Sequence, residues 1–516
     1  MARYNSPKVA STINVVENHE GGKSYKLSPR LELIGMLSTG FDNTFYESLN
    51  ERELRFSNLV KEMAKTDLLF LAKAMVYARS VVGQRSITHF GSVLMAPYLS
   101  GNEIGKRYYS KRNKKAETGG IIHRLDDMLE IVACYVTLNP GKPLPASMKK
   151  GFKNAIENAD TYELAKYQGK NKLISLVDVV NLVHPKPKNE MKETFKSLMS
   201  GELKQFNTVE DKNTESGKVV AEKVKKGEIT KTEAEEVLKE AKTENYKELV
   251  LNRTIGYLAL LRNLRNILNN SNDTELINGV IGMLTDKNLI KKALIFPHQI
   301  DLAFEVLLSE LGASHSGLNK ILVALNTAYE LAIPNLTELF PHGRTAVVFD
   351  SSGSMSDKIQ LATRKQGSDS AIGKAALIAA TLGKGIGADV FHFASTCEQI
   401  KYNPIDSINT IKKLFVSKQG SVGHGTEFNS IITKLKDNYD RVFIISDMQG
   451  NSRLTQSDYK NKHIYNIDIV GYGTTMFKPG EKRYQLFGYS SEIYELIKKV
   501  EVDPKALINA IEAIVI

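Results

Sequence analysis

A short, mostly apolar run from Thr345 to Phe349 ends abruptly in Asp350-Ser351-Ser352-Gly353-Ser354. Its β-branched residues and lack of polar alternation read as a buried strand. Asp350, Ser352 and Ser354 are spaced so that a tight turn aims one carboxylate and two hydroxyls at one point. Gly353 is expected to permit that turn. Hard oxygen donors gathered in this way suit Mg²⁺ or another divalent cation such as Mn²⁺. The plainer structural reading is a Ser/Gly-rich βα turn in which Asp350 is a cap.

The segment resembles the first loop of the metal-ion-dependent adhesion site of von Willebrand factor A domains. That resemblance implies two further loops. Gly423-His424-Gly425-Thr426-Glu427 is similar to the second, with Thr426 as ligand, and Val442 to Asp447 to the third, with Asp447. The implied metal set is Asp350, Ser352, Ser354, Thr426 and Asp447. In that family the hydroxyls ligate Mg²⁺, the carboxylates often act through water, and an acidic partner fills an open position. Glu427 stands where an Asp often follows the metal-site Thr.

The chain has 516 residues, enough for two to four domains. Its net charge of +11 points to a polyanionic partner, most simply nucleic acid, or to a mildly basic surface without function. Cys134 and Cys397 are far apart and lack metal-type spacing, which argues for a reducing, cytoplasmic setting. The first residues lack the apolar core of a signal peptide. No apolar stretch approaches the ~20 residues of a membrane span.

The chain divides by pattern. Residues 1–28 are polar and read as an irregular lead-in. From Leu31 to about Leu331 the signal is mostly helical. Leu68, Leu71, Ala72 and Met75 share one face of a helix that Thr66 is expected to cap, and Ile321, Ala324, Leu325 and Ala328 repeat the arrangement. Without a strict repeat, this fits a degenerate solenoid of helical pairs. Residues 202–245 are charged and polar, and read as a surface insertion, partly mobile, with a solvated helical hairpin from Val219 to Lys242. Pro334 and Pro341 break the helical pattern, so a boundary falls near 335–343. Beyond it, strands expected at Asp389–Phe393, Arg441–Ser446 and His463–Val470 alternate with helices at Ala371–Leu382, Glu492–Lys499 and Pro504–Ala513. That order implies a mainly parallel sheet covered on both faces, with ligands at the carboxyl ends of its strands.

A helical region followed by an A-type domain resembles the TROVE-module proteins, the Ro 60-kDa autoantigen family and its bacterial orthologues. Leu260 to Leu264, Leu289 to Pro297, Lys166 to Lys170 and Val183 to Pro187 carry the likeness, in an order completed by the Asp350 loop. After Pro297, His298 and Gln299 depart from the family pattern. The resemblance implies a multidomain fold: a HEAT-like α-helical ring over 29–340, then a doubly wound α/β von Willebrand factor A-like domain over 341–516. It also implies a ribonucleoprotein scaffold for RNA quality control. Small noncoding Y-like RNA would bind the outer basic surface, and single-stranded 3′ ends of misfolded RNA would pass through the hole. An exonuclease could be tethered through the Y-like RNA.

RNA contact needs several Lys or Arg acting together. Lys106, Arg107, Lys111, Arg112, Lys114 and Lys115 form the densest cluster, interleaved with Tyr108 and Tyr109. If exposed, those tyrosines would stack on bases; otherwise they belong to the core. Lys149, Lys150 and Lys153 form a second cluster, with Lys149 and Lys153 on one helix face. Lys166, Lys170 and His184 lie at the RNA surface by resemblance. Arg85 with His89 and Arg262 with Arg265 are weaker candidates. No catalytic set announces itself, so the expectation is a monomeric binding protein and not an enzyme. The rival is a metal-dependent protein-interaction module that recruits an acidic partner, with the basic ring incidental.

Overall fold

The structure is a computed structural model. It describes residues 15–516 except 42–43, 114, 171, 204–208, 294, 296, 312–316, 333–335, 337–339, 341, 357, 360–368, 437, 452–461, 479 and 491. Two architectures share the chain: helices up to Ala332, then an α/β unit.

The helices begin where side chains satisfy their first N–H groups. Capping boxes open Leu49–Thr66 (Ser48 with Glu51), Thr161–Lys166 (Asp160 with Glu163), Leu176–Val183 (Ser175 with Asp178) and Lys231–Leu251 (Thr230 with Glu233). Helix Leu68–Tyr77 starts at Asp67, not at Thr66. Thr66 instead ends the preceding helix, donating its hydroxyl back to the Glu62 carbonyl at 3.1 Å.

Alternate helices pack on one another. Leu49–Thr66 lies on Ser86–Leu99, which lies on Leu125–Leu138; Glu103–Tyr108 lies on Ala146–Glu157, which lies on Leu176–Val183. Further along, Lys231–Leu251 packs on Thr274–Leu284, and that helix on Leu318–Ala332. This is the two-layer stacking of helical-pair repeats. Ile321, Ala324, Leu325 and Ala328 are buried, as their spacing predicts. The charged insertion is a helical hairpin, Val209–Lys225 against Lys231–Leu251. It begins ten residues before the expected Val219, and its second helix runs on until Tyr246, Leu249 and Val250 are buried.

Strands β1 (Val15–Glu17) and β2 (Lys23–Lys26) lie in the segment read as irregular. β3 (Thr345–Asp350) follows the helices, then a two-residue pair β4 (Lys358–Ile359) and β5 (Asp369–Ser370), β6 (Asp389–Phe393) and β7 (Cys397–Ile400). β8 (Arg441–Ser446), β9 (His463–Asp468), β10 (Thr474–Thr475) and β11 (Arg483–Phe487) complete the set. The main sheet has the order β11-β9-β8-β3-β6-β7, parallel except for the β7 edge. Every residue of β3 is buried. Ala346 and Val348 face one core with Val442, Ile444 and Phe428; Val347 and Phe349 face the other with Phe443 and Ile445. The second core is continuous with the helical core through Ala371–Ile386. That explains the unbroken apolar run: both faces of the sheet are covered.

Both ends of the helical array dock on this α/β unit. At the first end, β2 pairs with β10, Pro29–Thr39 packs on β11, and Leu68–Tyr77 packs on Ala506–Glu512. Arg52, 1% exposed, donates to the Val470 carbonyl at 3.0 Å. At the last end, Leu318–Ala332 packs on Ile408–Val416, the buried Lys412 pairs with Asp301, and Lys384 meets Glu330 at 3.0 Å. The array therefore closes into a loop through the α/β unit.

Candidate functional site

Two sites were expected. The first lies where β3 and β8 end side by side. The chain leaves β3 for β6 on one flank while β8 lies on the other, so this is the switch point of the sheet. Asp350 is wholly buried. One of its carboxylate oxygens accepts from the Ser352 N–H at 2.9 Å, the other from the Ser446 hydroxyl at 2.7 Å. Ser351 turns away, its hydroxyl 3.0 Å from His392 Nδ1. Ser352 and Ser354 turn the other way and their hydroxyl oxygens meet at 3.2 Å. The second loop is tied to the first by the Gly353 N–H, which donates to the His424 carbonyl at 2.9 Å. Gly353 has no left-handed backbone, and a Cβ there would meet only ordinary contacts, so the turn does not depend on glycine's freedom.

Thr426 and Asp447 complete the cluster. Both are buried, and Thr426 Oγ1 and Asp447 Oδ2 have no hydrogen-bond partner. Such orphaned oxygens need a physical reason. Burial pushes both carboxyls above their ordinary range, and the neighbouring Asp350 charge pushes Asp447 further. A divalent cation would answer both problems by supplying positive charge and a partner for the orphaned oxygens. No set of three or more His, Cys, Asp or Glu side chains suited to a metal gathers among the described residues. The hydroxyls must therefore supply ligands, as hard-cation chemistry allows. Glu427 is half-buried and accepts from the Asn429 N–H at 3.1 Å, at the start of Asn429–Leu435.

The basic clusters lie on consecutive helices of the first half of the array. Lys106 and Arg107 are exposed on Glu103–Tyr108, and Lys115 is exposed beyond it. Lys150 is exposed on Ala146–Glu157, with Lys149 and Lys153 half-buried on the same helix. Lys111 binds Glu163 and the Asn158 carbonyl, which ties the first cluster to Thr161–Lys166. Lys166 and Lys170 are exposed, but the helix stops at Lys166 and Gly169 has a φ of 66°, so no helix pairs them. His184 is exposed at the C-cap of Leu176–Val183, in the left-handed region with a φ of 47°. Lys114 lies outside the described residues.

Three expectations need correction. Tyr108 and Tyr109 are fully buried: Tyr108 shares a hydrogen bond with the Ser92 hydroxyl at 2.7 Å, and Tyr109 donates to the Ser92 carbonyl at 2.6 Å. They are core residues and cannot stack on bases. Arg112 is buried, its guanidinium donating to the Gly119 and Val515 carbonyls at 2.8 and 2.9 Å. It ties the C-terminal segment to the array. Arg85 and His89 converge with Arg79 on the buried Asp127, at 3.3, 3.1 and 2.9 Å. Sequence reasoning passed over Tyr162, 46% exposed, with Lys166 bonded to its hydroxyl at 2.8 Å and lying 5.0 Å from its ring centre. Its position four residues before Lys166 was the available signal.

A closed array of helical pairs, joined end to end by a von Willebrand factor A-like unit with an oxygen-lined switch point, is the Ro-type architecture. The solved structure of the Deinococcus radiodurans Ro (RSR) protein has this fold. The two align with a TM-score of 0.56 at 17% identity, over 92% of this chain and 100% of that one. No protein-family model and no curated protein sequence matches the chain. Among the described residues no helix is long and apolar enough to cross a membrane.

Proposed function

We propose that this protein is an RNA-binding scaffold of the Ro type, acting by binding and not by catalysis. Its basic helical face holds a small structured noncoding RNA of the Y-like kind, and the enclosed hole takes single-stranded 3′ ends of misfolded RNA. The observation that carries the reading is the gathering of exposed Arg107, Lys115, Lys150, Lys166 and Lys170 along neighbouring helices, with exposed Tyr162 beside Lys166. Cations fix a phosphate backbone, and an exposed ring offers a stacking platform for an unpaired base.

The test is crosslinking of the protein to RNA in its native cells, with a Lys166→Ala/Lys170→Ala variant alongside. One dominant structured RNA, depleted in the variant, is expected; a background equal to an unrelated protein would end the RNA reading. In vitro, 6–10 phosphate contacts would lose about 10³–10⁵ in affinity between 50 and 200 mM salt.

A second reading rests on the orphaned oxygens of Thr426 and Asp447. In it, a Mg²⁺-loaded α/β unit recruits an acidic protein partner. Asp350→Ala would abolish that recruitment and spare RNA binding, whereas the lysine variant would do the reverse.

A further inference from the structure

The β1–β2 hairpin reaches the candidate metal site from outside the α/β unit. It is pinned there by specific bonds. β2 pairs with β10 through Lys26 with Thr474 and Tyr25 with Thr475. In the turn, Asn18 Nδ2 donates to the Gly450 carbonyl at 2.8 Å, and the His19 N–H donates to Gln449 Oε1 at 3.0 Å. Both acceptors lie on the loop that carries Asp447. Asn18 Oδ1 in turn accepts from the Glu20 and Gly22 N–H groups at 2.9 and 3.0 Å, which fixes the shape of the turn. The approach is close: a Cβ on Gly22 would fall 2.0 Å from the Gly450 carbonyl oxygen. Only glycine allows the backbone this near.

Glu20 sits at the tip of this turn, half-buried. Its carboxylate accepts a hydrogen bond from the Tyr46 hydroxyl. Tyr46 also bonds the Ser354 hydroxyl side, so it bridges Glu20 to the candidate ligands. The His19 ring stacks on Tyr46 at 5.1 Å, and Tyr472 closes the group at 5.1 Å from His19 and 5.6 Å from Tyr46. The Asp350 carboxyl, raised chiefly by burial, is raised also by the charge of Glu20. The site therefore has an acidic side chain of this same chain held against it, while Thr426 Oγ1 and Asp447 Oδ2 remain without partners inside it.

We propose that Glu20 is a built-in acidic ligand for the cation held by Asp350, Ser352, Ser354, Thr426 and Asp447, taking the position an external acidic partner would otherwise occupy. This rests on the reading of that cluster as a cation site. A carboxylate from a different part of the chain completes the oxygen shell, and the hairpin becomes a cover that any outside acidic group must displace. The hairpin is thereby coupled to the cation: binding one favours seating of the other.

The experiment is titration of the full chain with Mn²⁺, read by electron paramagnetic resonance for affinity and by water proton relaxation for the waters on the bound ion. Wild type, Asp350→Ala, Glu20→Ala and Gly22→Val are compared. The expected result is Mn²⁺ binding that Asp350→Ala abolishes. Glu20→Ala should lower affinity by about 10- to 100-fold and increase relaxation per bound ion, because water replaces the lost carboxylate. Gly22→Val, which cannot seat the turn, should increase relaxation in the same way. If wild type binds Mn²⁺ through Asp350 but neither variant changes the relaxation, Glu20 is no ligand and the cation site stands without it. If wild type and Asp350→Ala bind Mn²⁺ alike, the cation site itself fails and the proposal falls with it.

Discussion

Asp127 shows how a buried charge is decided by its neighbours. Burial alone would push its carboxyl up, but the His89 bond and the Arg79 and Arg85 charges hold it well below the carboxylate range. His89 is itself held below its ordinary value, chiefly by burial, so the ring is neutral and Arg79 carries the main countercharge. Asp127→Asn leaves the buried Arg79 without that partner, which should cost about 3–5 kcal/mol at neutral pH. A carboxyl lowered on folding contributes stability above its unfolded value of about 3.9, and this is lost as pH falls. The gap between wild type and variant should therefore narrow below about pH 4, as thermal melting followed by circular dichroism would measure. None of this network was legible from residue type. Arg85 and His89 share a helical face whether they meet RNA or a carboxylate, and Asp127 lies far along the sequence. Tyr108, Tyr109 and Arg112 misled for the same reason, since a run of basic residues hides which members point inward.

At the scale of elements, the strands that bear the site were legible because they are buried on both faces. β3, β6 and β8 fall where their β-branched runs predict. β1 and β2 were not, because each is short and only Ser24 and Tyr25 of β2 are buried, too few to make a visible alternation. β7 is an antiparallel edge with two exposed residues, and β11 alternates weakly. The candidate ligands were found through the order of three loops, but their hydrogen bonds and the hairpin beside them belong to the folded chain alone. These loops should be stabilised by a cation that binds only the folded state. Mg²⁺ at about 100 times its dissociation constant adds about 2.7 kcal/mol. Melting of the α/β unit should rise on adding Mg²⁺ and return on adding a chelator, and Asp447→Asn should remove the increment. A melting curve indifferent to Mg²⁺ would argue for a capped turn without a cation.

The whole molecule depends on closure. A stack of helical pairs has two open ends, and each exposes apolar surface unless something covers it. Here one α/β unit covers both, so its two contacts cannot be varied independently without straining the array. The last end relies on Lys412, which is 5% exposed on Ile408–Val416 and reaches Asp301 and, at 3.2 Å, Glu305 on the helix Pro297–Glu310. Lys412→Ala removes that charge from beside the buried Asp301 and should cost about 3–5 kcal/mol at this junction. The first end, held by β2 with β10 and by Leu68–Tyr77 with Ala506–Glu512, would remain docked. The loop should then open at one junction while the chain stays folded. Small-angle X-ray scattering would read this as a larger radius of gyration, with helical content by circular dichroism nearly unchanged. Replacing both partners, Lys412→Met with Asp301→Leu, removes the pair without leaving a lone buried charge and should restore much of the closed form. An unchanged radius for Lys412→Ala would place the closing energy in the apolar contact of Leu318–Ala332 with Ile408–Val416. An opened array that still bound structured RNA but released single-stranded ends faster would separate the outer face from the hole, which no change confined to the basic residues can do.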